Sequence, residues 1–214
     1  MSEHAEIKKS IAILSIIFIL VVAVFMLVKV KPNFTAMNAK ADAAADGSEE
    51  KFNYLSNAGT NYCAGAQILD GKKEEERLQG ACCSAMDLHR YEEQVEGLKS
   101  YAGLEFSDVI PSDPYDIPVS FVRELLDYQK NIQLTVEQQA TYDKATKLSD
   151  EGGPCCCKCW RWYAFEGQAK YLITKYNFNA EQIAELWDIE DGCGGKGHEG
   201  HGEMMEREIF EPTS

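Results

Sequence analysis

Chemistry in this sequence concentrates in Pro154-Cys155-Cys156-Cys157-Lys158-Cys159-Trp160, where four thiols fall within five residues. A single cysteine is readily a small buried hydrophobe, but four at one point are not a packing pattern. Three chemistries fit. The first is metal binding. Cys155, Cys157 and Cys159 alternate, so an extended loop turns their sulfurs to one side, and a fourth ligand would close a tetrahedral thiolate site. A helix starting at Cys159 adds a positive N-terminal dipole that favours thiolates. Cys193 is the fourth candidate. A helix over 160–176 is about 25 Å long, and a return helix over 180–190 covers about 16 Å of it. An extended Asp191–Cys193 adds up to about 10 Å, enough to bring the chain back to the cluster. The thiolates suit zinc or copper(I) first, and an iron–sulfur cluster after them.

The second chemistry is disulfide stapling. The eight cysteines are an even count, and the cluster would pair with Cys63, Cys82, Cys83 and Cys193, since vicinal and Cys-x-Cys pairs rarely bridge each other. Eight cysteines allow 105 connectivities. The third is thiol–disulfide exchange by Cys156 and Cys159, a Cys-x-x-Cys pair at a helix start. No βαβ pattern precedes this pair, and the only later proline is Pro212. Metal binding without turnover is the preferred reading, with a thiol–disulfide oxidoreductase and a stapled interaction module as alternatives.

A second thiol site is Cys82-Cys83. With Cys82 on a helix, Met86 and His89 follow at i+4 and i+7 on the same face. Cys82 and Cys83 join the metal-ligand candidates. Cys63, Cys156, Met86 and His89 are auxiliary ones. So are His198 and His201, which lie in a Gly-, His- and Glu-rich tail over 194–214 expected to be mobile. Lys158 and Arg161 beside the thiols could lower their pKa values or simply be solvated.

The elements that position these residues are expected to be helices. Leu78, Ala81, Ala85, Leu88, Tyr91, Val95, Leu98 and Ala102 keep helical spacing. A short helix follows Pro118. Thr135 to Gln138 is a capping box that starts a helix to Leu148. A helix runs from near Cys159 to about Tyr176, and Asn179 to Gln182 opens the last one. The fold class is all-α, with about five helices in a cysteine-rich domain over 59–193.

Charge divides the chain. The 214 residues carry a net charge of −14, all of it from residue 59 onward, where all eight cysteines also lie. Such an acidic domain repels phosphate backbones, which argues against nucleic acid as a partner. Before it, Ile11–Val28 is apolar except for Ser15. About 20 residues match the roughly 30 Å hydrocarbon core. This reads as an uncleaved single-pass anchor over 10–30, after a short tail over 1–9 and before an Ala-, Asn- and Asp-rich tether over 31–58. The basic N-terminal tail favours an extracytoplasmic domain at the cell membrane. Metal-handling or redox membrane proteins are then the expected partners.

Pro154-Cys-Cys-Cys-Lys-Cys159 resembles the signature of the family named for its PCYCGC motif, small membrane- or lipid-anchored prokaryotic proteins of unknown function. Pro154, Cys155, Cys157 and Cys159 match its proline and three alternating cysteines. Cys156 stands for the tyrosine and Lys158 for the glycine, and Trp160-Arg161-Trp162 and Cys193 follow where the family has further Gly-His and Cys-x-x-Cys elements. The resemblance implies an anchored, extracytoplasmic protein with a metal- or thiol-related role.

Overall fold

A computed structural model describes residues 44–195. The apolar run over 10–30 and the tail candidates His198 and His201 lie outside the described residues. Among the described residues, no helix is long and apolar enough to cross a membrane.

The domain is mostly helical, with six α-helices: α1 (Glu49–Leu55), α2 (Leu88–Lys99), α3 (Val119–Asn131), α4 (Val136–Leu148), α5 (Trp160–Tyr176) and α6 (Ala180–Ile189). Both expected capping boxes form. Thr135 accepts from the backbone of Gln138 and Asn179 from that of Gln182, each glutamine reaching back to its cap. The αL conformation of Asn177 (φ 55°) ends α5, and α6 then turns back along the bundle. The helices form a packed layer in which α3 lies on α5 and α4 on α6. Val122, Leu125, Phe165, Leu172, Ile183 and Trp187 fill its interior.

The structure departs from the expected elements in three places. First, Arg77–Gln79 (β1) pairs antiparallel with Asp116–Pro118 (β2), Leu78 lying opposite Ile117. Second, the helix expected from Leu78 onward starts only at Leu88, with Asp87 as its cap. The backbone N–H groups of Cys82, Cys83 and Ser84 bond to carbonyls of Gly192 and Cys193 rather than four residues back. Helix formation is therefore lost to a tertiary partner that spacing alone does not reveal. Third, Glu49–Leu55, placed in the tether by composition, is the ordered helix α1. Its Leu55 joins Tyr91, Val95 and Tyr115 in a smaller apolar cluster. The buried Lys51 Nζ lies 2.6 Å from Asp116 Oδ2, which ties α1 to the two-stranded sheet.

Candidate metal centre

Three chain segments converge beside the N-terminus of α5. The first carries Cys63. Its neighbour Asn61 accepts from Trp160 Nε1 (3.0 Å), and the Ala64 carbonyl accepts from the Trp160 backbone N–H (2.7 Å). This loop is therefore clamped to the first residue of α5. The second segment is Ala81–Met86 and the third is Gly192–Gly195. These two lie side by side through a parallel bridge, Met86 to Gly195, and four backbone hydrogen bonds of 2.8–3.2 Å. The approach is close enough to demand glycine. A Cβ on Gly194, whose φ is +86°, would lie 2.3 Å from the Ser84 carbonyl oxygen, and one on Gly192 would lie 2.2 Å from a guanidinium nitrogen of Arg161.

All eight sulfurs gather into one continuous network. Cys193 Sγ lies 3.1 Å from Cys155, 3.3 Å from Cys156 and 3.7 Å from Cys82. Cys155 and Cys159 are 3.8 Å apart. Cys82 is 3.5 Å from Cys83, which is 3.7 Å from Cys156. Cys63 approaches Cys157 to 3.0 Å, and those two gather with Cys83 within 4.8 Å of one another. Four sulfurs placed about 2.3 Å from a tetrahedral zinc are about 3.8 Å apart, a spacing the longer of these separations already approach.

Burial grades across the cluster. Cys155, Cys159 and Cys193 are 0%, 2% and 5% exposed. Cys82 and Cys157 are half-buried, while Cys63, Cys83 and Cys156 are exposed. Of the alternating trio, Cys155 lies within 4.8 Å of Cys157 and 3.8 Å from Cys159, while the shortest sulfur contact of Cys157 is to Cys63.

The protons of the buried thiols are shared. Hydrogen bonds from Cys159 hold the Cys155 thiol below its usual range, and those from Cys155 and Cys82 do the same for Cys193. Cys82, which donates to Cys193, is pushed far up by the neighbouring thiols Cys155, Cys159 and Cys193 and keeps its proton. At the rim, burial and then the Cys155 charge push Cys156 up to about 12, against the effect of its bond to Cys193.

Sequence reasoning left Arg161 undecided between thiol neighbour and solvated surface. The structure buries it to 1% exposure. It donates to the carbonyls of Pro114 (2.6 Å) and Glu190 (3.1 Å), and its guanidinium lies over the rings of Trp160 and Phe165. Its Nε has no hydrogen-bond partner among the described residues. Burial alone would lower its pKa, but the negative charge of the neighbouring thiolates, Cys155 and Cys193 among them, outweighs this and raises it. Arg161 is thus a buried countercharge for the thiolates. The signal for it was its place two residues after Cys159, in the first turn of a helix whose dipole has the same sign. Lys158 instead lies over the Trp162 ring at 5.4 Å.

The Cys82, Met86 and His89 stripe does not form, because Cys82 and Met86 precede α2. Met86 Sδ lies 3.9 Å from Ser56 Oγ, and His89 is exposed beside Glu93. Cys63, an auxiliary candidate on sequence alone, instead belongs to the cluster. Neither a family model, nor a curated protein, nor a solved structure matches the chain, so its chemistry is argued from this thiol cluster alone.

Proposed function

We propose that the protein binds a soft or borderline metal ion through its cysteine cluster and captures, holds or hands on that ion at a membrane. One observation carries this reading: Cys193 Sγ has three other sulfurs within 3.7 Å. A disulfide joins two sulfurs, whereas one metal ion joins three or four. A shared neighbourhood therefore favours metal over stapling. The helix dipole and Arg161 supply positive charge where thiolates would bind metal. The acidic surface draws cations toward the domain in general.

The apolar run over 10–30 supports anchoring in the cell membrane, with the domain outside the cytoplasm. Membrane-bound metal-handling proteins are then the natural partners. The redox alternative has weaker support. Cys156 sits at the rim with its thiol pushed up to about 12, whereas an attacking thiol in exchange chemistry is activated by a lowered pKa. Its Cys-x-x-Cys partner, Cys159, is 2% exposed.

The test uses the full chain, purified without reductant and without added metal. Elemental analysis is combined with a free-thiol count. The expected result is thiolate-bound metal in a whole-number ratio to protein, lost in Cys155→Ser/Cys193→Ser. Metal-free protein that takes up no added zinc or copper(I), with all its cysteines in disulfides, would overturn the proposal in favour of a stapled module.

A further inference from the structure

The eight sulfurs do not form a uniform patch. They divide by burial and by mutual approach into two sets of four. In the inner set, Cys82 lies within 4.8 Å of Cys155 and Cys193, and Cys155 meets Cys159 at 3.8 Å and Cys193 at 3.1 Å. Four of the six pairs in that set are therefore in reach of one another. The outer set is Cys63, Cys83, Cys156 and Cys157. Cys63, Cys83 and Cys157 lie within 4.8 Å of one another, as do Cys156 and Cys157, and Cys83 meets Cys156 at 3.7 Å. Here five of the six pairs are in reach.

The sets touch where the chain passes between them. Two of the neighbouring pairs are consecutive in sequence: Cys82 lies in the inner set and Cys83 in the outer, 3.5 Å apart, and Cys155 lies in the inner set and Cys156 in the outer. Cys156 to Cys193, at 3.3 Å, is the shortest cross-contact. Trp162 packs against the buried sulfurs of the inner set. Three of the four outer thiols face solvent.

We infer that the cysteines form two adjoining four-thiolate metal subsites, an inner one (Cys82, Cys155, Cys159, Cys193) that retains its ion and an outer one (Cys63, Cys83, Cys156, Cys157) that exchanges a soft metal ion with thiol ligands from outside. This rests on the metal-binding reading above. Closed four-ligand sites hold metal structurally, whereas an accessible coordination sphere admits incoming ligands. The exchange is ligand substitution. A rim thiol gives its proton to solvent and forms a metal–sulfur bond. One bond to a carrier thiolate breaks, and that thiolate takes up a proton. The metal keeps its oxidation state throughout. The carrier is a thiol compound or a cysteine-bearing protein.

Cadmium(II) is the probe, because its bonds to thiolate absorb in the ultraviolet. The reduced full chain is titrated without oxygen and then challenged with EDTA. The expected result is two ions bound per chain, one released at least about tenfold faster than the other, as open and closed coordination require. Cys63→Ser/Cys157→Ser removes the fast phase and leaves one slowly released ion. These side chains lie toward the surface, and the wild-type release curve decides the matter even if the variant misfolds. One ion per chain, or two released in a single phase, overturns the two-subsite inference while metal binding stands. No bound cadmium overturns both.

Discussion

The helix layer and the inner part of the thiol pole are both buried, yet they are held in different ways. In the layer, α3 to α6 interlock through aliphatic and aromatic side chains, and each gains by leaving water whatever its chemical state. At the pole, the loops carrying Cys63, Cys82 and Cys193 have little apolar surface of their own. Hydrogen bonds and close glycine contacts fasten them, and their buried sulfurs are crowded by one another. A thiol is a weak hydrogen-bond donor and acceptor. Crowded thiols therefore contribute little by themselves, whereas the same sulfurs bound to metal become a covalent crosslink. The layer should be stable by composition, and the pole by what it binds.

The largest test of this contrast is metal withdrawal. With metal about a thousandfold above its Kd, loading contributes about 4 kcal/mol, and a chelator should lower Tm by about 10 °C for a domain of this size. Hydrogen exchange should quicken first in 81–86 and 192–195. Equal loss of protection in α3 and α5 would break the distinction. Next in size, Leu172→Ala should cost about 3 to 4 kcal/mol by opening a cavity in the layer. Denaturant melts with and without metal should give the same cost, and a cost that appears only in the loaded form would contradict it.

Beside the smaller apolar cluster lies Asp113, which accepts from Tyr91 Oη at 2.7 Å and from the Tyr115 backbone N–H at 2.8 Å. Burial raises its pKa from 3.8 to about 6 despite those bonds. The folded protein therefore holds this proton more tightly than the unfolded chain. That contribution is fully present below about pH 4 and is lost as pH rises through about 6, up to about 3 kcal/mol. Relative to Asp113→Asn, the wild type should lose stability across that window and stay parallel above it. Denaturant titrations at four pH values read this directly, and parallel curves throughout would remove the argument. The smallest effect is expected for Gly194→Ala. Strained backbone and the clash with Ser84 should cost about 1 to 2 kcal/mol. Metal affinity should fall by about tenfold, the equivalent of roughly 1.4 kcal/mol, with α3 to α6 unchanged in hydrogen exchange.

Helices were legible where local signals were complete. The Thr135 and Asn179 boxes and the Val119, Trp160 and Ala180 starts all depend on residues within a turn of one another. The stretch from Leu78 to Asp87 misled because its helical spacing is real but its backbone partners are distant, Ile117 and Tyr115 for Leu78 and Gly80, and Gly192 and Cys193, more than a hundred residues downstream, for Cys82 to Ser84. Residues 49–55 were read as tether because they close a stretch, 31–58, rich in Ala, Asn and Asp. Their order comes from Leu55 and from a Lys51–Asp116 pair across 65 positions.

The candidate site divides along the same line. By itself the sequence determined which residues carry soft-ligand chemistry, that they crowd at the entrance of α5, and that Cys193 has enough chain to return there. Residue type and helix length are local quantities. Only the tertiary structure decided that Cys63 joins the cluster, that Met86 and His89 stay apart, that Arg161 is sealed beneath the thiols, and that the eight sulfurs sort into a buried set and an exposed one. Those outcomes depend on loops whose conformation is set by distant carbonyls and by glycines that let two backbones touch. Sequence spacing does not encode such contacts until the chain has folded.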